Sequence, residues 1–234
     1  MPHEDAASGD AFTMERNLLL CELHAHTTWS DGDLTVTEVV DLYGRSGFDV
    51  LCITDHAYPG LRPVDLRLDA GSFPHYLNAI DREARRAREQ YDLLVIPGLE
   101  LTYDAEDGHA LAVGARCFSP VRPELADALA AARDLGAATV AAHPTVGGWF
   151  WRKRLGVHEL VDRYELINRR QTFGWVAEAG LPAVASGDFH QLDQLATWKT
   201  VLPCRKEEED VVQYLRSDGR AYVVPWHLGR EEAA

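Results

Sequence analysis

Cysteine is sparse and scattered, with Cys21, Cys52, Cys117 and Cys204 the four present in 234 residues. None forms a Cys-x-x-Cys pair, which argues against disulfides and leaves buried structural thiols as the reading. Long apolar runs are also missing, and nothing approaches the ~20 consecutive apolar residues that a membrane-spanning helix needs. Positive charge is in short supply. Lys and Arg number 23 against 37 Asp and Glu, a formal net charge of -14. That balance argues against a nucleic-acid partner, because neutralising a phosphate backbone takes clustered cations. No repeat, low-complexity tract or Pro/Gly/Ser linker divides the middle of the chain. Residues 17–228 therefore read as one domain, between a polar leader over 1–16 and a short tail over 229–234. The leader lacks the basic start and apolar core of a signal peptide, so a cytoplasmic location is expected.

What is present is a globular composition, 46% hydrophobic and 26% charged, on a chain long enough for an α/β barrel. A unit recurs in which an apolar strand leads through a loop to an amphipathic helix, then to Gly and the next strand. Gly47, Gly136 and Gly180 stand where such helices end in the left-handed conformation. Thr35 with Glu38 three residues on forms a capping box ahead of Val36, Val39, Val40 and Tyr43. Further helical stripes run through Leu77, Ile80, Ala84, Ala87 and Tyr91, and through Leu125, Ala128, Leu129, Ala132 and Leu135. Arg82, Arg85, Arg86 and Arg88 read as a solvated face. Strands are expected over 18–23, 50–54, 93–99, 109–114, 139–142, 164–168, 183–186 and 221–224. Most are short and nearly all apolar, as buried parallel strands are. Their alternation with helices implies a parallel α/β sheet, either open and doubly wound or closed into a barrel.

The polar residues at the strand ends favour closure. The first apolar run ends in His24-Ala25-His26, and alternate residues of a strand share a face, so both imidazoles point to one spot. Ser30-Asp31-Gly32 follows. His56 comes after the second run, Glu100 after the third, His143 after Val140-Ala141-Ala142, and Asp188 and His190 after Ala183–Ser186. His109 is the exception, standing at the start of a strand. In a parallel barrel the C-terminal ends of the strands meet on one rim, whereas an open sheet spreads them along a line. The set takes six of the ten histidines in the chain.

With these residues the chain resembles the polymerase and histidinol phosphatase (PHP) superfamily of metal-dependent phosphoesterases. The matching stretches are His24-Ala25-His26 with Ser30-Asp31-Gly32, Ile53-Thr54-Asp55-His56, Pro97-Gly98-Leu99-Glu100 with Gly108-His109, Ala142-His143-Pro144, and Ser186-Gly187-Asp188-Phe189-His190. The resemblance runs from Leu18 to Val224. It implies a distorted seven-stranded TIM-like β/α barrel and two or three divalent metal ions. One ion takes His24, His26, Glu100 and Asp188. A second shares Glu100 and adds His109 and His143, and a third takes Asp31, His56 and His190. Imidazole and carboxylate without thiolate suit Zn, Mn or Fe. One carboxylate can bridge two cations, and a water between them becomes a nucleophile near neutral pH. Glu100 is thus the bridging residue of the reaction, and the leaving oxygen is stabilised by the third metal or, where that site is empty, protonated by Asp31 or His190.

Further residues complete the expected site. Asp55 is a natural partner for a ligand imidazole. The stretch from Thr145 to Arg154, with a glycine hinge, three aromatics and three cations, suggests a lid in which Trp149 and Arg152 contact substrate. Arg169 and Arg170 end another strand and are candidates for holding an anionic oxygen. Phe189 stands where the family often has a small residue and is expected to narrow the pocket. No gap between successive ligands exceeds 44 residues, so no separate inserted domain is housed there. The reading is a metal-dependent hydrolase of a small anionic phosphoester, a phosphomonoester or nucleotide. A carbaryl-hydrolase-like branch shares the Gly-Leu-Glu-Leu-Thr segment and Thr197-Trp198-Lys199-Thr200, which keeps carboxylic ester, carbamate or amide hydrolysis as the alternative. A polymerase exonuclease module and a metal-stabilised interaction module are the weaker readings.

Overall fold

The computed structural model describes residues 18–59, 68–103, 108–118, 121–145, 151 and 157–227. In chain order they form β1 (Leu18–Glu22), α1 (Val36–Arg45), β2 (Val50–Ile53), β3 (His56–Ala57), α2 (Phe73–Tyr91), β4 (Leu94–Tyr103), β5 (Gly108–Val113), α3 (Leu125–Asp134) and β6 (Ala138–Ala142). Then come β7 (Arg163–Asn168), β8 (Gln171–Thr172), α4 (Gly174–Glu178), β9 (Ala183–Ser186), β10 (Trp198–Pro203), α5 (Glu208–Arg216) and β11 (Tyr222–Pro225).

Local chemistry fixes the helix ends. The Glu38 amide donates to Thr35 Oγ1 at 3.3 Å and the Thr35 amide to Glu38 Oε2 at 2.8 Å, completing the capping box before α1. Gly47, Gly136 and Gly180 have φ of 75°, 91° and 66°, the left-handed turn that follows α1, α3 and α4. Along α2 the buried face is Phe73, Tyr76, Ile80, Glu83 and Ala87, with Leu77, Ala84 and Tyr91 only partly covered. The face is turned from the expected stripe, and Arg86, in place of standing free in solvent, pairs with Asp41 of α1 at 2.6 Å and with Glu83 at 2.7 Å.

The sheet runs in the order β11-β10-β1-β2-β4-β5-β6-β7-β8, with β3 on β4 and β9 on β7. It is not wholly parallel, contrary to the expectation from its apolar strands. β1, β2 and β4 are parallel, as are β6, β7 and β9, but β5 runs antiparallel between β4 and β6. The four residues between β4 and β5 are too few for a crossover, so the chain must double back. β10, outside the expected strands, pairs antiparallel with β1 and carries β11 on its other edge.

The curled sheet meets itself between β9 and β1. The His26 amide donates to the Phe189 carbonyl at 2.8 Å and the Phe189 amide to the His24 carbonyl at 3.1 Å. Thr200 Oγ1 on β10 accepts from the Ala185 amide at 2.9 Å and donates to its carbonyl at 2.7 Å. These few bonds give a distorted barrel in place of a continuous ladder. One apolar cluster lies between sheet and helices and includes Val39, Val40, Ile53, Tyr76, Leu99, Leu129 and Trp175. The second includes Leu19, Cys21, Leu23, Cys52, Ile96, Leu111, Val140 and Val184, joined by Val211, Val212 and Leu215 of α5. Cys21 and Cys52 are buried thiols as expected, but Cys117 and Cys204 are only half-buried. Among the described residues no helix is long and apolar enough to cross a membrane.

Candidate metal centre

Strand alternation sets the centre. His24 and His26 continue β1 and face one way, with Nε2 atoms 2.9 Å apart, while Ala25 between them is buried in the apolar core. β3 places His56 opposite Glu100 of β4 in parallel register. The reversal of β5 accounts for His109. Its first residues lie at the same rim as the end of β4, with His109 paired to Thr102 on one side and Ala142 on the other, next to His143. The ring centroids of His109 and His143 are 4.8 Å apart.

Glu100 stands at the middle of the group. Its Oε1 lies 3.0 Å from His109 Nδ1 and 3.0 Å from His143 Nε2. Oε2 lies 2.9 Å from His56 Nδ1, 3.3 Å from His26 Nε2 and 3.4 Å from His24 Nε2. Asp188 Oδ1 is 3.5 Å from both His24 Nε2 and His26 Nε2. Asp31 Oδ1 is 3.2 Å from His190 Nε2, 3.5 Å from His56 Nε2 and 3.7 Å from His26 Nδ1. Three groups of converging donor atoms result: His24, His26 and Asp188; His24, Glu100 and His143; and His26, Asp31, His56 and His190. The resemblance groups His26 with the first metal alone, whereas here it lies between the first and third sets, its ring 4.1 Å from that of His190.

The donor set fits divalent cations. Glu100 Oε2 is fully buried and accepts no hydrogen bond of good geometry, its close contacts being the imidazoles of His56, His26 and His24, so its charge needs a cation as partner. The electrostatics agree. Burial works to raise the Glu100 carboxyl, yet His56 and His24 hold it well below the usual carboxylate range. Burial pushes His26 down to about 3, leaving its ring neutral with a lone pair to offer. Against the same burial effect, Glu100 and Asp31 push His56 up to about 10. The carboxylates thus demand positive charge, which imidazolium or a bound cation supplies.

The backbone is strained at the same rim. Of the four non-glycine residues with positive φ among those described, three are His143 (26°), Asp188 (45°) and Arg169 (51°). Each left-handed residue costs roughly 1–3 kcal/mol, and such residues persist where neighbouring structure holds them.

Other expected contacts lie elsewhere. Among the described residues Asp55 makes no hydrogen bond to an imidazole. It accepts from the Thr27 amide at 2.8 Å, Thr27 Oγ1 at 2.9 Å and Ser30 Oγ at 2.6 Å, and reaches His26 only through Ser30. Phe189 does not narrow a pocket. It is buried edge-on against Tyr43, because alternation turns it away from the side of Asp188 and His190. Arg169 lines a cleft of about 610 Å³ with His143, Asn168, Gln171, Phe173 and Asp188, and Arg170 is exposed outside that lining. Arg169 also donates from Nε to the Asp188 carbonyl at 3.1 Å and sets Nη2 3.2 Å from Asp188 Oδ2. Trp149 and Arg152 lie outside the described residues, while Trp151 is buried in the core.

Two buried carboxylates escaped the sequence reading. Glu22 is fully buried, pairs with buried Lys199, and accepts from the amides of Gly187 at 2.8 Å and His24 at 3.2 Å. Glu165 lies under His24 and His143. The available signal was a charged residue in the midst of an apolar strand, which needs partners when buried.

No family model and no curated protein matches the chain. Solved structures do. A two-domain protein from Bacteroides vulgatus containing a predicted PHP-like metal-dependent phosphoesterase superposes with a TM-score of 0.70 at 22% identity, over 90% of this chain and 65% of that one. PsfC from Pseudomonas syringae superposes with a TM-score of 0.63 at 16% identity, over 89% of this chain and 91% of that one. This chain therefore spans about two thirds of the first protein's length. The likeness shows a shared PHP-like fold.

Proposed function

We propose that this chain is a metal-dependent hydrolase of a small anionic phosphoester. The observation that carries the reading is Glu100, whose two oxygens face two separate sets of imidazoles, Oε1 between His109 and His143 and Oε2 towards His56, His26 and His24. In this reading His24, His26, Glu100 and Asp188 hold one divalent cation, Glu100, His109 and His143 a second, and Asp31, His56 and His190 a third. Zn, Mn or Fe suits these ligands. Such cations acidify water and offset the negative charge of the phosphoryl oxygens in the transition state.

The chain's own groups do the rest. Arg169, fastened to Asp188 by its Nε and Nη2, lies in the lining of the cleft beside the centre, where it orients an anionic oxygen. When the third position holds no cation, His190, 3.2 Å from half-exposed Asp31, can pass a proton to a leaving oxygen from the solvent side. A panel of p-nitrophenyl phosphate, nucleotides and p-nitrophenyl acetate, assayed with Mn, Zn and Fe, tests the assignment. Turnover of the phosphoesters is expected. Turnover of the acyl compound alone would establish ester or amide hydrolysis and sink the phosphoesterase reading.

A further inference from the structure

We propose that Glu165 is a positioning residue for the metal centre, selecting the ring tautomer of His24 and fixing the backbone that carries His143. The inference rests on the reading that the centre binds divalent cations. Glu165 is on β7, fully buried, and in none of the three groups of converging donors. Four donors from four segments meet on it. His24 Nδ1 lies 3.0 Å from Oε1, and the Ser186 hydroxyl donates to the same oxygen. The His143 amide donates to Oε2 at 2.6 Å and Asn168 Nδ2 at 2.7 Å. All four acceptor directions of the carboxylate are in use, so it has no further electron pair for a cation.

The consequence for His24 follows from proton counting. An ionised carboxylate can only accept, so Nδ1 of His24 must carry the hydrogen. A neutral imidazole has one N–H, so the lone pair is on Nε2. Nε2 is the atom that lies 2.9 Å from His26 Nε2 and 3.4 Å from Glu100 Oε2, inside the cluster. With the hydrogen on Nε2 instead, His24 would present a donor where a ligand is needed. The second oxygen of Glu165 acts on the backbone. His143 has φ of 26°, and the hydrogen bond its backbone N–H donates to Glu165 offsets that strain at a residue facing Glu100. Ser186 stands two residues before Asp188, so the same carboxylate ties together the segments bearing His24, His143 and Asp188.

Glu165→Gln keeps the shape but replaces one acceptor oxygen with a donating amide. The test compares Co and Zn binding by the wild-type protein, E165Q and S186A, the last removing one donor while leaving the carboxylate in place. E165Q is expected to weaken metal binding by about 10–100-fold and to change the visible absorption of the Co-loaded protein. S186A, which loses packing of the same site, is expected to keep the wild-type spectrum. Equal affinity and an unchanged Co spectrum for E165Q would overturn the assignment. The second measurement needs no variant to fold: ¹H–¹⁵N correlation of the Zn-loaded wild-type protein should show His24 protonated at Nδ1. An Nε2–H form of His24 overturns the proposal while leaving metal binding intact. A wild-type protein that takes up neither cation overturns the metal reading itself.

Discussion

The two flanks of the centre contrast. On the inner flank the side chains of His24, His26 and Glu100 are 0% exposed; the two histidines continue β1 and Glu100 lies within β4. Behind them lie Glu165 and the buried Glu22–Lys199 pair, which hold ring and backbone donors of the ligands. On the outer flank Asp31 is 50% exposed and His190 is 18% exposed. Both sit on loops, and one oxygen of Asp31 serves three imidazoles. Similar ligand chemistry is therefore built at two levels of rigidity. The inner flank is pre-organised by buried hydrogen bonds, while the outer flank has more room to adjust.

Glu100→Gln should have the largest effect, because that carboxylate belongs to the inner flank and faces two sets of imidazoles. We expect metal content to fall by more than one ion per chain and turnover to disappear, as measured by elemental analysis and phosphoester assay. Two or more ions retained would show that Glu100 does not bridge, and the inner flank would lose its central member.

Lys199→Met tests whether the inner flank depends on what lies beneath it. The substitution leaves the Glu22 carboxylate buried without its cation, a loss of roughly 3–5 kcal/mol for a pair broken on one side. Gly187 lies so close that a Cβ there would be 2.5 Å from both Glu22 Oε2 and Lys199 Nζ, so the backbone has little room to relax. Chemical denaturation should register the loss, and the charge-neutral double variant E22Q/K199M should recover most of it. A single variant as stable as wild type would mean that the pair is not a support of this flank.

The contrast also marks what the sequence could reveal. His24, His26, His56, Glu100, His143 and Asp188 were legible because each follows an apolar run of sequence, and strand alternation does not depend on the partner strand. His109 looked misplaced because a six-residue apolar strand reads the same in either direction; only its pairing shows that β5 is reversed. Lys199 hid β10, since a lysine in a strand reads as solvent-facing, yet this one is 0% exposed because Glu22 and Thr197 receive its ammonium. Glu165 was passed over for the neighbouring arginines for a related reason. The worth of a buried charge lies in partners that come from β1, β6 and β9, far away in the chain.

Asp31→Asn should have the smallest effect of the three and sharpens the comparison most. The substitution keeps size and exposure and removes the negative charge that the rings of His56 and His190 share. Burial works to raise the Asp31 carboxyl, yet His190 and His56 hold it well below the usual range, so it is ionised at neutral pH and its charge is what the variant deletes. With the outer flank on loops and the inner flank on strands, the loss should stay local. We expect one ion fewer per chain by elemental analysis, lowered turnover, and a metal-free folding stability lowered by about 1 kcal/mol, less than for Lys199→Met because the charge shared with His56 and His190 is half-exposed. Loss of the inner ions as well would show that His26, which lies between both sets, couples the flanks into a single unit. The grouping of His26 with Asp31, His56 and His190 would then outweigh its place beside His24 at the end of β1.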